Sequence, residues 1–322
     1  MGFFSSVNYL QTNQKSVTYR CMKCIFVYNP ESGKGKIKKY RDYILKELAS
    51  KYGEVDCVET RRAGDATELA KNACGVYDYF FVSGGDGTIN EVVNGFGENE
   101  NAPILGIIPS GTVNDVAHSL SISKNLKKAV KNLIEGVVFE HDIFKVNDRY
   151  GIYVCCTGLF SKTSYDTARY SKKHLGKLAY FFRGVKEVLS TKPTKLELAL
   201  NGERIKKDCT MLLIFNSRST AGFSVNKKAK LDDGVVEVLI FHSHKKSIWF
   251  FDLLRTVRFF LFGIKSVKRS KNVTYRQASK FKIKLAEDTI INLDGEKSGK
   301  GTFEFNVINK GLKILIPKKT KV

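Results

Sequence analysis

From Met22 to about Asp142 the chain repeats one unit: a short apolar run, a turn-rich loop, then a stretch with apolar residues at helical spacing. CIFVYN is followed by NPESGKGK and by IKKYRDYILKELASKYG, which stops at Gly53. EVDCVET leads to GDATELAKNACG, VYDYFFVS to a helix TINEVVNGFG that opens after a glycine loop, and APILGIIPS to TVNDVAHSL. Strands that alternate with helices bury their apolar faces as a parallel sheet covered on both sides. The spacing therefore predicts a doubly wound α/β domain whose ligand site lies at the carboxyl ends of the strands.

Past Asp142 the period changes. KLELALNGERIKKDCTMLLIFNS, GVVEVLIFHS, KFKIKLAEDTIINLDGE and GTFEFNVINKGLKILIP read as short strands with tight turns, so a mostly antiparallel β second domain is expected. Two apolar and basic segments, ARYSKKHLGKLAYFFRGVKEVL and SIWFFDLLRTVRFFLFG, interrupt it as helices. The predicted organisation is an extension over residues 1–21, an α/β domain over 22–143, and a β-rich domain over 144–304, with residues 305–322 returning to the first domain.

The loop VSGGDGTINE, residues 82–91, is the most chemical part of the chain. Glycines between a buried strand and a helix start let the backbone approach a phosphate, while free amides and the helix dipole stabilise its charge. Asp86 then sits among phosphate oxygens, where a carboxylate makes sense with a divalent metal between them. Neither GxxxxGK[ST] nor GxGxxG is present, since Asn90 occupies the place of the last glycine, and GEKSGKGT at 295–302 reads as a hairpin turn. Three further pieces belong at strand ends near this loop: NPESGKG with Asn29, Ser32 and Gly33, PSGTVND with Thr112, Asn114 and Asp115, and NLDGEKSG with Asp294 and Glu296. Each alone is a common turn or cap, and together they make a site.

Composition narrows the partners. A net charge of +22 predicts attraction to polyanions without choosing among them. The seven cysteines are odd in number and scattered, and Cys21 and Cys24 form a single CxxC without a second ligand pair, so neither a disulfide framework nor a zinc site is expected. No secretory signal and no apolar run of membrane-spanning length occurs, so a cytoplasmic, peripherally membrane-associated protein is expected. MGFFSS fits the short N-myristoylation pattern, which carries little weight alone.

Taken in order, NPESGKG, VSGGDGTINEVVNG, GIIPSGTVNDVA, LDDG near residue 233 and LDGE near residue 296 resemble the lipid kinase family of diacylglycerol, sphingosine and ceramide kinases, and LGKLAYF at 175–181 resembles the family's lipid-side segment. The chain is most similar to the soluble bacterial diacylglycerol kinases. The resemblance implies a nucleotide-binding domain like that of NAD and diacylglycerol kinases, ATP and Mg2+ as cofactors, and transfer of phosphate to a membrane lipid hydroxyl, that of diacylglycerol first. It implies an ATP site made by Asn29, Pro30, Glu31, Ser32, Gly33, Thr60, Gly84, Gly85, Asp86, Gly87, Thr88, Asn90, Glu91, Gly111, Thr112 and Asn114. It implies catalytic magnesium held by Asp86, Asp115 and Asp142, largely through water, and a structural magnesium on Asp233 with the carbonyls near Lys230 and Val235. Glu296 would be the general base, supported by Asp294.

The basic and aromatic residues of TARYSKKHLGKLAYFFRG and WFFDLLRTVRFFLFGIKSVKRSK fit a surface that docks on anionic lipid. NAD kinases share the GGDGT loop and are the nearest rival reading, with NPESG and LGKLAYF favouring lipid. A non-catalytic lipid or nucleic-acid binder is the rival from another class, and no recognised nucleic-acid motif supports nucleic acid as a partner. An edge strand of the second domain would serve a homodimer.

Overall fold

The computed structural model describes residues 22–157, 193–243 and 249–320. The extension over residues 1–21 and the LGKLAYF segment lie outside the described residues. Strands β1 (Cys24–Tyr28), β2 (Val55–Glu59), β3 (Tyr79–Gly84) and β4 (Ile104–Pro109) stand in the order β4-β3-β1-β2, all parallel. Every residue of β1 is buried, which is why CIFVY reads as an unbroken apolar run and not as an alternation. Helices α1 (Ile37–Tyr52), α2 (Asp65–Ala73), α3 (Asp86–Phe96), the short α4 (Asp115–Ser119) and α5 (Leu126–Ile134) connect and cover these strands. Gly53, with φ of 83°, ends α1 where the sequence predicts.

α3 departs from expectation. It starts at Asp86, inside the glycine loop, with Gly85 in an extended conformation as its N-cap. The first N–H donors of a helix have no intrahelical acceptor, so Gly87 is tolerated there and the amides of this turn are left to other acceptors. α5 is not legible in the sequence, because its apolar positions Ala129, Val130 and Leu133 are hidden among lysines; Asn125 caps it by accepting from the Lys128 amide at 3.1 Å.

The second half is antiparallel, as its alternating strands require. β7 (Val154–Thr157), β8 (Thr194–Leu200), β9 (Glu203–Phe215), β12 (Lys280–Leu285), β13 (Ile290–Leu293), β14 (Glu296–Lys300) and β15 (Thr302–Ile316) follow the order β14-β13-β7-β9-β8-β12-β15. β10 (Val236–His242) pairs with β9 and β11 (Val273–Ala278) off this path. The GEKSGKGT stretch is thus mostly strand β14, turning at Gly301 into β15. MLLIF in β9 is apolar without alternation because Met211, Leu213 and Phe215 join the larger core while Leu212 and Ile214 join a second core inside the β domain. Phe281 and Phe305, opposite one another on β12 and β15, stack at 4.6 Å and close that second core.

The two halves share a strand. β5 (Val137–Val146), followed by β6 (Arg149–Gly151), runs straight through the change of period at Asp142 and pairs with β15 along its length. β15 begins beside β12 and ends beside β4, where Ile314 is in parallel register with Leu105. Its register shifts between Ile308 and Leu312, opposite Asp142. The Asp142 carboxylate fills this irregularity, accepting hydrogen bonds from the Lys310 amide at 2.6 Å, Asn309 Nδ2 at 3.0 Å and the Gly234 amide at 2.6 Å.

Candidate active site

Three loops at the carboxyl ends of β1, β3 and β4 close on one another. Asn29 continues β1, its amide donating to the Ser83 carbonyl at 2.8 Å, and its Oδ1 accepts from the Glu31 amide at 3.0 Å to shape the first loop. The Ser110 and Gly111 amides both donate to the Gly84 carbonyl at 3.1 Å, binding the third loop to the second. The packing leaves no room for side chains. A Cβ on Gly33, which has φ of 58°, would lie 1.7 Å from the Ser110 carbonyl oxygen, and one on Gly111 would lie 2.5 Å from the Gly85 Cα. Gly33→Ala is therefore expected to spread the first and third loops and raise the KM for ATP by about tenfold or more, with kcat on saturating ATP changed far less. Steady-state titration of ATP checks it, and an unchanged KM would detach the first loop from nucleotide binding.

A cleft of about 1600 Å³ runs from these loops into the second domain. Of the residues expected at the nucleotide, Pro30, Glu31, Ser32, Gly33, Gly85, Asp86, Gly87, Gly111, Thr112 and Asn114 line it. Asn29, Thr60, Gly84, Thr88, Asn90 and Glu91 do not, and they hold its walls instead. Asn29 Nδ2 reaches Thr88 Oγ1 at 3.4 Å, the Thr60 amide donates to Tyr28, and Gly84 packs on Thr88 so closely that a Cβ would meet it at 2.4 Å. Glu91 accepts from the Ala66 amide at 3.2 Å and anchors α2. Sequence reasoning missed Lys36, Lys38, Tyr40, Lys124, Asn125 and Leu126, which also line the cleft.

Asp86 and Asp115 are neighbours on the cleft wall. Asp86 Oδ1 accepts from the Val116 amide at 3.2 Å, and the carboxyl is pushed up to about 6 by desolvation and by the charge of Asp115. Asp115 is fixed from the second domain, accepting from Ser219 Oγ at 2.6 Å and from the Gly222 amide at 2.9 Å. Two hard oxygen donors that repel one another beside a phosphate loop fit a magnesium ion, which takes one or two carboxylates together with phosphate oxygens and water. The third expected member is elsewhere: among the described residues no three acidic, histidine or cysteine side chains gather as a metal group. Asp142 sits against the turn at Asp232 and Asp233 instead, its oxygens taken by the donors that settle the β15 irregularity. In that turn Asp233 Oδ1 accepts from the Val235 amide at 3.4 Å, and Lys230 and Asp233 are exposed.

The second domain brings the other carboxylates. Asp294 and Gly295 form the two-residue turn between β13 and β14, both at positive φ, 49° and 96°, as a type I′ hairpin requires. Asp294 is buried, accepting from the amides of Ile152, Tyr153 and Val154 and from Asn90 Nδ2 at 2.8 Å. Burial pushes it up to about 6 against the lowering effect of those donors. Because Asn90 lies on α3, one side chain clamps the hairpin to the helix that follows the phosphate loop. The next residue but one, Glu296, is exposed on the cleft, with Oε1 only 3.6 Å from where a Cβ on Gly87 would stand. Beyond it the cleft turns apolar, walled by Tyr153, Val154, Cys156, Leu213, Ala221 and by Phe260 of α6 (Trp249–Phe262).

The arrangement has relatives. The diacylglycerol kinase catalytic domain matches residues 23–146, and the YegS C-terminal NAD kinase beta sandwich-like domain matches residues 156–316. A diacylglycerol kinase of Bacillus subtilis (strain 168) is 32% identical over 296 residues, 91% of this chain and 95% of its own. One from Staphylococcus aureus (strain MRSA252) is 32% identical over 293 residues, 90% and 91% respectively. The fold is also that of a solved diacylglycerol kinase from Bacillus anthracis str. Sterne, with TM-score 0.73, 19% identity and coverage of 91% of this chain and 96% of that one.

Proposed function

Since the chain belongs to the diacylglycerol kinase catalytic-domain family, we propose that it transfers the γ-phosphate of ATP to the hydroxyl of a membrane lipid, with diacylglycerol as acceptor and phosphatidic acid as product. The observation that carries the reading is Glu296, a carboxylate from the second domain set against the phosphate loop of the first, between a polar end of the cleft and an apolar one.

The division of labour follows from the walls. The three glycine loops present backbone amides to the nucleotide phosphates, and the cations of Lys36, Lys38 and Lys124 face the same end. The apolar end takes the hydrocarbon next to the acceptor hydroxyl. Glu296 takes the proton of that hydroxyl as it attacks, and Asp294 positions Glu296 by fixing the turn that carries it. Asp86 and Asp115 are the residues that would hold magnesium, which when bound neutralises charge developing on the phosphoryl oxygens. Phosphoryl transfer asks the protein mainly for positioning and charge, and these residues supply both.

The raised pKa of Asp86 sets an acid limit. A carboxyl near 6 is charged above that pH and protonated below it, so kcat/KM for ATP is expected to fall about tenfold per pH unit below pH 6 and to level off by about pH 7. The midpoint belongs to the interacting pair Asp86 and Asp115, not to either alone. A pH profile from 5 to 8 checks it, and a flat profile would remove the pair from the chemistry. The function itself is tested by following labelled γ-phosphate from ATP with magnesium into vesicles holding diacylglycerol, sphingosine and undecaprenol, with NAD in the same mixture. Label in diacylglycerol is the expected result; label in another lipid moves the acceptor, and label in NAD overturns the lipid reading.

A further inference from the structure

The helix that walls the apolar end of the cleft has a second face that the reaction does not use. α6 turns Asp252, Thr256, Phe259 and Phe260 inward, while Leu254 is 46% exposed, Leu261 57% and Phe262 72%, with Phe251 at 60%. At helical spacing, residues 251, 254, 258, 261 and 262 fall within about 100° of one another, so the exposed apolar side chains and exposed Arg258 form one stripe. Exposed cations continue it past the helix end, at Lys265, Lys268, Arg269 and Lys271. No aspartate or glutamate lies between Asp252 and Glu287.

An exposed stripe of leucine and phenylalanine rimmed by cations and without carboxylates complements an anionic bilayer: apolar side chains enter the acyl boundary and the cations meet the headgroups. Nucleic acid would engage the cations and leave Leu254, Leu261 and Phe262 unused. We propose that the outer face of α6 seats the protein on an anionic membrane, so that one helix touches the bilayer on one side and the acceptor end of the cleft, through Phe260, on the other. The docking rests on the lipid-kinase reading only for what it delivers.

The test sediments the full chain with phosphatidylglycerol vesicles, without nucleotide or acceptor, at low and high salt. The chain is expected to bind, and Leu254→Gln with Phe262→Gln to weaken binding by about tenfold or more at either salt. Arg258→Gln with Arg269→Gln is expected to weaken it at low salt and much less at high salt. Phosphorylation of a short-chain diacylglycerol dissolved as monomers should stay within about twofold of the parent in both variants, which also shows that they fold. Unchanged vesicle binding in the first variant overturns the proposal, as does a dimer that this variant dissociates without loss of vesicle binding. Loss of vesicle binding in a chain that phosphorylates no lipid would sustain the docking face and sink the kinase reading.

Discussion

Asp86→Asn is expected to lower kcat/KM on the order of 10³-fold while the protein melts no lower than its parent. The amide keeps the shape and can still accept the Val116 amide through Oδ1, so the junction of α3 with α4 survives. What disappears is a negative charge, and with it the donor beside the phosphates. The effect on stability has the opposite sign. A carboxyl raised from 3.8 to about 6 on folding is ionised at pH 7 in both states, at a cost of about 1 to 3 kcal/mol to the folded one, which grows as pH rises from about 4 to 6. The neutral side chain removes that cost. Turnover and thermal unfolding measured at pH 7.5 check both halves. Retained turnover would sink the assigned role, and a fall of many degrees in Tm would trace the lost activity to the fold.

Glu296→Gln is expected to lower kcat on the order of 10² to 10⁴-fold and to leave ATP affinity within a few-fold. Glu296 is exposed and follows the turn instead of holding it, so its replacement leaves the hairpin intact. The contrast with Asp294 is the control. Asp294 is buried with four donors on it, so Asp294→Ala would strip partners from Asn90 and from three backbone amides and cost stability as well as rate. Nucleotide binding measured beside single-turnover phosphate transfer separates these outcomes. An unchanged kcat in Glu296→Gln would pass the role of base to another group.

The parallel half was readable because physical chemistry writes it locally. CIFVY and YFFV are unbroken apolar runs because both faces of a central strand are covered, and the glycines between strand and helix announce a close backbone approach. Glu296 and Asp115 could be named from local motifs and a family likeness, and both line the cleft. What local motifs do not carry is a partner distant in sequence. Asn90 belongs to a nucleotide motif by position, yet its side chain is spent on Asp294, 204 residues away, and on the Tyr150 carbonyl. The family likeness groups Asp142 with Asp86 and Asp115, and a strand irregularity 168 residues away engages its carboxylate. The lysines of α5, at 127, 128 and 131, share one face of a nine-residue stretch, which is too short to read as a helix until its apolar face finds a sheet.

Strand β15 has a consequence for how the protein is made. Leu105 of β4 waits for Ile314, and β5 from Val137 onward waits for the same segment. A ribosome delivers the nucleotide-binding half first, but that half emerges with β4 as a bare edge whose neighbour has not been translated. Loop closure across some two hundred residues makes such pairing late and slow. The nascent chain therefore passes through an interval in which an apolar parallel edge is open to wrong partners, and it is closed by residues that appear some two hundred positions after β4. The strand that joins the two substrates' domains is also the latch that ends this period of risk.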